Sequence, residues 1–261
     1  MSRRGFALLA VLWVLTAVTA LVGTGMVVAR LGADTTRNRV LLARAEWARE
    51  ACGEILQARF AVDPSVRNVD PIDLGRGTWC RAALDDPAAR LSLNTADREA
   101  LVRLFTAVGV DSVIADSVVR GRRVGQIYDI RLIEGVDSAE ATHLSRFVTT
   151  RGTGVVNVNA APPEVLRVLP GLGEEAVVLL LRRRAARPIH NADELAGLLS
   201  PSSRAVLLNK YAEFVRVAAF GPPQLIATIE GAVRGTPVVA RATLTLVSVP
   251  GRLAVIRRES E

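Results

Sequence analysis

Lysine is almost missing from this chain of 261 residues: Lys210 is the sole one, and arginine supplies the rest of a basic set that leaves a net charge of +7. A basic balance suits an acidic partner, either nucleic acid or an anionic membrane face. The arginines are scattered through every segment, however, and a genome that prefers arginine codons leaves the same mark. Cysteine and histidine are equally scarce. Cys52, Cys80, His143 and His190 make no zinc-ligand spacing, which argues against a zinc module. If the bulk of the chain lies outside the cytoplasm, the two cysteines can form one disulfide; otherwise they are two reduced thiols. No Gly-x-Ser-x-Gly elbow, phosphate loop or His-Glu-x-x-His helix occurs. The acidic pairs Asp85-Asp86 and Glu174-Glu175 read as turn or helix-start residues. An enzyme is not expected, nor is a cofactor.

Charge is absent from Phe6 to Ala29, a run of 24 residues behind Arg3 and Arg4. That is too long for the apolar core of a secretory signal, which spans about 7–15 residues. As a helix it rises about 36 Å, enough for a hydrocarbon layer of about 30 Å. Orientation is left open by charge, because Arg30, Arg37 and Arg39 on the far side offset Arg3 and Arg4.

Proline is absent from Leu31 to Phe60, so the helix is expected to continue well past the apolar run. Val40, Trp47, Ala48, Ala51, Cys52, Ile55, Leu56 and Phe60 recur at three-to-four spacing, with Arg44, Arg49, Glu50 and Arg59 around them. Pro64 and Pro71 close it. A strand-like run over 77–84 ends at Asp85-Asp86-Pro87. Then LSLNTADREALVRLF, from Leu91 to Phe105, reads as a short strand and a capped helix. Asn94 or Thr95 is the expected cap and Glu99 the capping-box residue. The same grammar returns from Val156 to Arg184, with Asn159 corresponding to Asn94, so 91 to about 210 reads as two similar all-helical units. After Asn209 the pattern turns to period two, first at Phe214, Val215, Val217 and Ala219, then in three further runs separated by Gly and Pro. This predicts an antiparallel meander and an α+β frame interrupted by a helical insert.

Leu169-Pro170-Gly171-Leu172-Gly173 resembles the hairpin of helix-hairpin-helix proteins, whose glycine amides approach a DNA phosphate. Arg182, Arg183, Arg184 and Arg187 downstream could add phosphate contacts. The plainer alternative is a tight turn between helices, and the first unit has only acidic Glu134-Gly135-Val136-Asp137 at the comparable place.

Taken in order, these pieces resemble the K-type minor pseudopilins of type II secretion systems (the general secretion pathway protein K family). The residues that carry the likeness are Arg3-Arg4-Gly5, Phe6-Ala7-Leu8-Leu9, Arg90-Leu91-Ser92-Leu93-Asn94, 156–166 with Leu169-Pro170-Gly171, and Tyr211 to Val217. The resemblance implies a pilin-like α+β fold: a long N-terminal helix on an antiparallel sheet, with an inserted domain of two SAM-like, helix-hairpin-helix-like units. It divides the chain into a leader at 1–5, a transmembrane half-helix at 6–29 and a periplasmic half-helix at 30–61. The first part of the α/β domain follows at 62–90, the insert at 91–210 (repeats about 91–150 and 156–210), and closing strands at 211–261. It further implies cleavage by a prepilin peptidase between Gly5 and Phe6, methylation of Phe6, and a bulk that lies in the periplasm. Ala10 stands where most pilin-like subunits carry a glutamate, and that absence marks a subunit at the filament tip. The implied partners are I- and J-type minor pseudopilins, met through the N-terminal helix and pilin domain, the peptidase, and the inner-membrane secretion platform. DNA is not an expected partner; the alternative reading is a membrane-anchored, competence-type DNA-binding protein. Calcium has been proposed in the family, but Val119-Arg120-Gly121-Arg122-Arg123 lacks the oxygen ligands it needs.

Overall fold

The computed structural model describes the backbone of residues 3–249 and 252–260, and side chains from 11 to 249 and 252 to 259. Helix α1 (Arg3–Val62) runs unbroken for 60 residues, about 90 Å at 1.5 Å per residue. Its second half buries Ala45, Ala48, Cys52, Leu56 and Phe60, a stripe at three-to-four spacing. The stripe meets a sheet that begins with β1 (Asn68–Gly75) and β2 (Thr78–Asp85).

The chain then leaves the sheet. It enters β3 (Leu91–Ser92), α2 (Arg98–Ala107), α3 (Val113–Val124), α4 (Ser138–Leu144) and β4 (Val148–Thr149). A second set follows: β5 (Val156–Asn157), α5 (Pro163–Arg167), α6 (Glu174–Ala186), α7 (Ala192–Leu198), α8 (Pro201–Asn209), α9 (Tyr211–Val217) and β6 (Ala218–Ala219). The units are therefore not all-helical: each is clasped by a two-residue parallel bridge, β3 with β4 and β5 with β6. One apolar core runs through both, with Phe105, Leu144, Leu166, Leu195 and Phe214 fully buried.

Tyr211–Val217, expected as a strand, is helical. Tyr211, Phe214, Val217 and Ala218 all face the helical core, a spacing of three to four that outweighs the shorter alternation of Phe214, Val215 and Val217. Another correction concerns the cap of α2. Asp97 takes it, accepting from the Ala100 amide at 2.6 Å, and Asn94 is free for a different task. Asn94 Nδ2 donates to the carbonyls of Ile127 and Thr150, and its Oδ1 accepts from the Ile127 amide. Asn159 does the same with Ile189 and Phe220. Arg122 and Arg184 reach back to Leu93 and Ala96, and to Val158 and Ala161. Each unit thus closes its own entry loop with one asparagine and one arginine, which satisfies backbone groups that helix and strand leave over.

Back in the sheet come β7 (Leu225–Val233), β8 (Val239–Val249) and β9 (Arg252–Ser260), giving the antiparallel order β1-β2-β7-β8-β9. Asp85 pairs with Ile226, so the insert leaves and returns at neighbouring positions. Ala45 packs with Val233 and Ala240, whereas Phe60 belongs to the cluster with Leu84 and Leu225. The insert therefore springs from the sheet end farthest from the apolar half of α1. This is the expected α+β frame with an interruption.

Asp86 sits at the junction, buried, accepting from the Ala88 amide at 3.0 Å and from Asn157 Nδ2 at 2.7 Å. Burial holds its carboxyl above the usual range, although both donors pull the other way. A raised folded pKa means the folded state holds the proton more tightly. The resulting stability is complete below the unfolded carboxyl pKa and is lost as pH rises through the folded value. Unfolding of the native chain and Asp86→Asn across a pH series should therefore show the native chain losing ground as pH rises. A difference that stays constant would remove Asp86 from this role.

Candidate assembly interface

From Val11 to Leu31 the large side chains of α1 are exposed on every side, Trp13 and Leu21 among them. This is the one helix among the described residues long and apolar enough to cross a membrane. A helix apolar all round and covered by nothing in its own chain fits a bilayer anchor. Gly5, Phe6 and Ala10 fall within the helical backbone, but their side chains lie outside the described residues.

Below the anchor the stem divides into faces. One lies on the sheet so closely that a Cβ built on Gly231 of β7 would stand 2.3 Å from the Ala45 oxygen and 2.4 Å from the Arg49 nitrogen. Trp47 points elsewhere and is 56% exposed. It borders an open groove of about 560 Å³ between α1 and the sheet, shared with Glu54, Leu244, Val255 and Arg258. Ile55 packs on the sheet core, and Ala51 lines the groove. The stem stripe thus serves its own sheet through some residues and leaves others uncovered.

Cys52 and Cys80 lie in the same core layer between stem and sheet as free, fully buried thiols. Burial pushes both thiols above the ordinary value.

The Gly171 hairpin is built for packing. Gly171 has φ of 75°, and a Cβ there would lie 3.0 Å from Leu207 Cα on α8, which covers the turn. Gly173 precedes α6, whose first turn is Glu174 and Glu175. Arg167 pairs with Glu174 at 2.6 Å, and the hydroxyls of Ser200 and Ser203 donate to Glu175. Downstream, Arg183 and Arg187 pair with Glu194 at 2.8 and 3.3 Å, and Arg184 is turned inward. Only Arg182 of the four stays exposed with no acidic partner among the described residues. A turn carrying two carboxylates on its following helix repels phosphate, so the geometry favours the tight-turn alternative.

Val119 to Arg123 lies on α3, with Arg122 committed to the entry loop. Among the described residues no three His, Cys, Asp or Glu side chains converge as a metal site. Sequence reasoning missed the paired roles of Arg122 and Arg184; their equivalent places in the two repeats were the available signal.

No protein-family model matches the chain, and no curated protein matches it in sequence. In structure it is similar to a chain of the crystallised GspK-GspI-GspJ complex from the type 2 secretion system of enterotoxigenic Escherichia coli. The TM-score is 0.62 at 16% identity, and the match covers 87% of this chain and 99% of that one. At that identity the likeness is one of architecture. What the two chains share is a long helix on an antiparallel sheet, interrupted by a helical block.

Proposed function

We propose that this chain is a K-type minor pseudopilin: an assembly subunit anchored in the inner membrane, with its bulk in the periplasm, that sits at the tip of a short filament. The observation that carries the reading is a single helix, apolar and uncovered in its first half and packed on a sheet in its second. Such a stem can leave the bilayer and join neighbouring stems without unfolding the domain it holds. The insert supports a tip position, because it extends from the sheet end away from the anchor, where a subunit stacked above would have to sit. Ala10 is consistent with this, since a subunit with nothing above it needs no buried carboxylate for a neighbour's amine. Trp47 and its groove are the surface proposed to meet the I- and J-type minor pseudopilins. The peptidase and the secretion platform are the remaining partners of this reading.

Intact-mass measurement of the membrane-purified chain tests the processing. The expected product lacks Met1 to Gly5 and carries one added methyl on Phe6; an uncleaved N-terminus overturns the proposal. Trp47→Glu should weaken co-purification with the two partner pseudopilins while leaving the thermal midpoint within a few degrees, because the side chain is largely exposed.

A further inference from the structure

The two helical units share one plan, so equivalent positions can be compared. Arg122 matches Arg184, Ile127 matches Ile189, and the capping Asp129 matches Asn191, all at one constant spacing. By that spacing Val124, Tyr128 and Leu132 correspond to Ala186, His190 and Glu194. In the second unit this corner is polar and internally paired: Glu194 accepts from the His190 amide, Arg183 and Arg187. In the first unit it is apolar and uncovered. Val124 is 94% exposed, Tyr128 77% and Leu132 80%. They edge a cleft of about 360 Å³ with Ile127 and Ile133 beneath. Three large apolar side chains left in water at one corner, where the sister unit has none, mark an interaction site.

Charge narrows the occupant. Tyr128 also borders a neighbouring shallow cleft that holds Arg131 and Arg151. Arg120 and Arg131 already have carboxylate partners, Glu134 at 3.1 Å and Asp129 at 2.6 Å. Arg151 makes no ion pair among the described residues, so the lining of the two clefts carries one surplus positive charge. A second copy would set arginine against arginine, which disfavours self-association through this face. The anchoring bilayer is at the other end of the sheet.

We propose that the Val124–Tyr128–Leu132 corner of the first helical unit docks an acidic segment of another protein, with a large apolar side chain of that segment seated in the cleft and its carboxylates on the arginine rim. This holds whatever the stem's partners are.

The test uses the full chain in detergent and a short fluorescent peptide alternating glutamate with leucine and phenylalanine, read by anisotropy. A peptide with lysine for glutamate and an all-glutamate peptide are the comparisons. The acidic–apolar peptide should bind best, at least tenfold more tightly than either comparison. Leu132→Glu and Arg151→Glu should each weaken it at least tenfold, and Arg182→Glu on the second unit should not. Unchanged thermal unfolding of the variants shows that the effect is local. The proposal is overturned by no binding, by equal binding of the lysine peptide, or by indifference to Leu132→Glu. A loss with Arg182→Glu as large as with Arg151→Glu also overturns it, as does a dimer that Leu132→Glu dissolves.

Discussion

Gly231→Ala is expected to destabilise this protein by about 3 kcal/mol or more, the upper part of the range for overpacked cores. For a domain of this size that lowers the thermal midpoint by roughly 10 °C. The reason is what the new methyl would meet: the Ala45 oxygen at 2.3 Å, the Arg49 nitrogen at 2.4 Å and the Ala48 carbonyl carbon at 3.0 Å. These are backbone atoms in the interior of α1, so no side chain can rotate out of the way. The helix must move off β7, and with it the layer that joins Ala48, Cys52 and Leu56 to Ala82, Leu84, Ala227 and Ile229. Gly197→Ala is the comparison. Nothing lies within 4 Å of its Cβ position, and α7 should gain slightly from the better helix former. Equal midpoints for native chain and Gly231→Ala would show that stem and sheet are not held at this distance.

Oxidation of the cysteine pair is the other large effect. Cys52 and Cys80 share one dry core layer, and on the proposed periplasmic reading joining them removes two protons and two electrons, accepted by a protein disulfide oxidant of that compartment. In the chain-entropy account a loop of this length contributes about 3.5 kcal/mol. Because burial raises both thiols, little thiolate exists near neutral pH, and small reagents should react slowly with the folded reduced form. The protein isolated without reductant should therefore show no free thiol after denaturation, and reductant should add two hydrogens and lower the midpoint. Two free thiols in the untreated, denatured protein would establish the reduced pair as the native state.

Local signals were read well from sequence wherever one physical pattern stood alone. The apolar run, the proline-free stem, the later period-two runs and the Asn94/Asn159 repeat each have a single sufficient cause, and the helix, the sheet and the doubled insert follow from them. Reading failed where two periods overlapped, as at Tyr211–Val217, whose alternation over four residues hid a helical spacing set by the insert's core. It failed again at the helix caps, where several polar residues compete within a few positions. Asp97 won the cap of α2, and Asn94 was drawn to two loops distant in sequence. The hairpin arginines show a third kind of failure: spacing placed them on one helix, but their partners Glu194, Val158 and Ala161 come from other segments.

The sequence by itself determined that a long apolar helix begins this chain, that it continues into an amphipathic stem, and that a doubled helical block interrupts a strand-rich frame. Those properties reside in periodicity and in the placement of proline and glycine, which act within a few residues. Only the tertiary structure decided which side of the stem is spent on the sheet and which is left to Trp47, because burial depends on what lies opposite. It also decided that Gly231 carries the helix on its bare backbone, that Cys52 and Cys80 share one core layer, and that one insert unit pairs its corner charges while its sister leaves Tyr128 and Leu132 in water. Each depends on which residues meet and which are left uncovered once the chain has folded, and chain order alone does not say that.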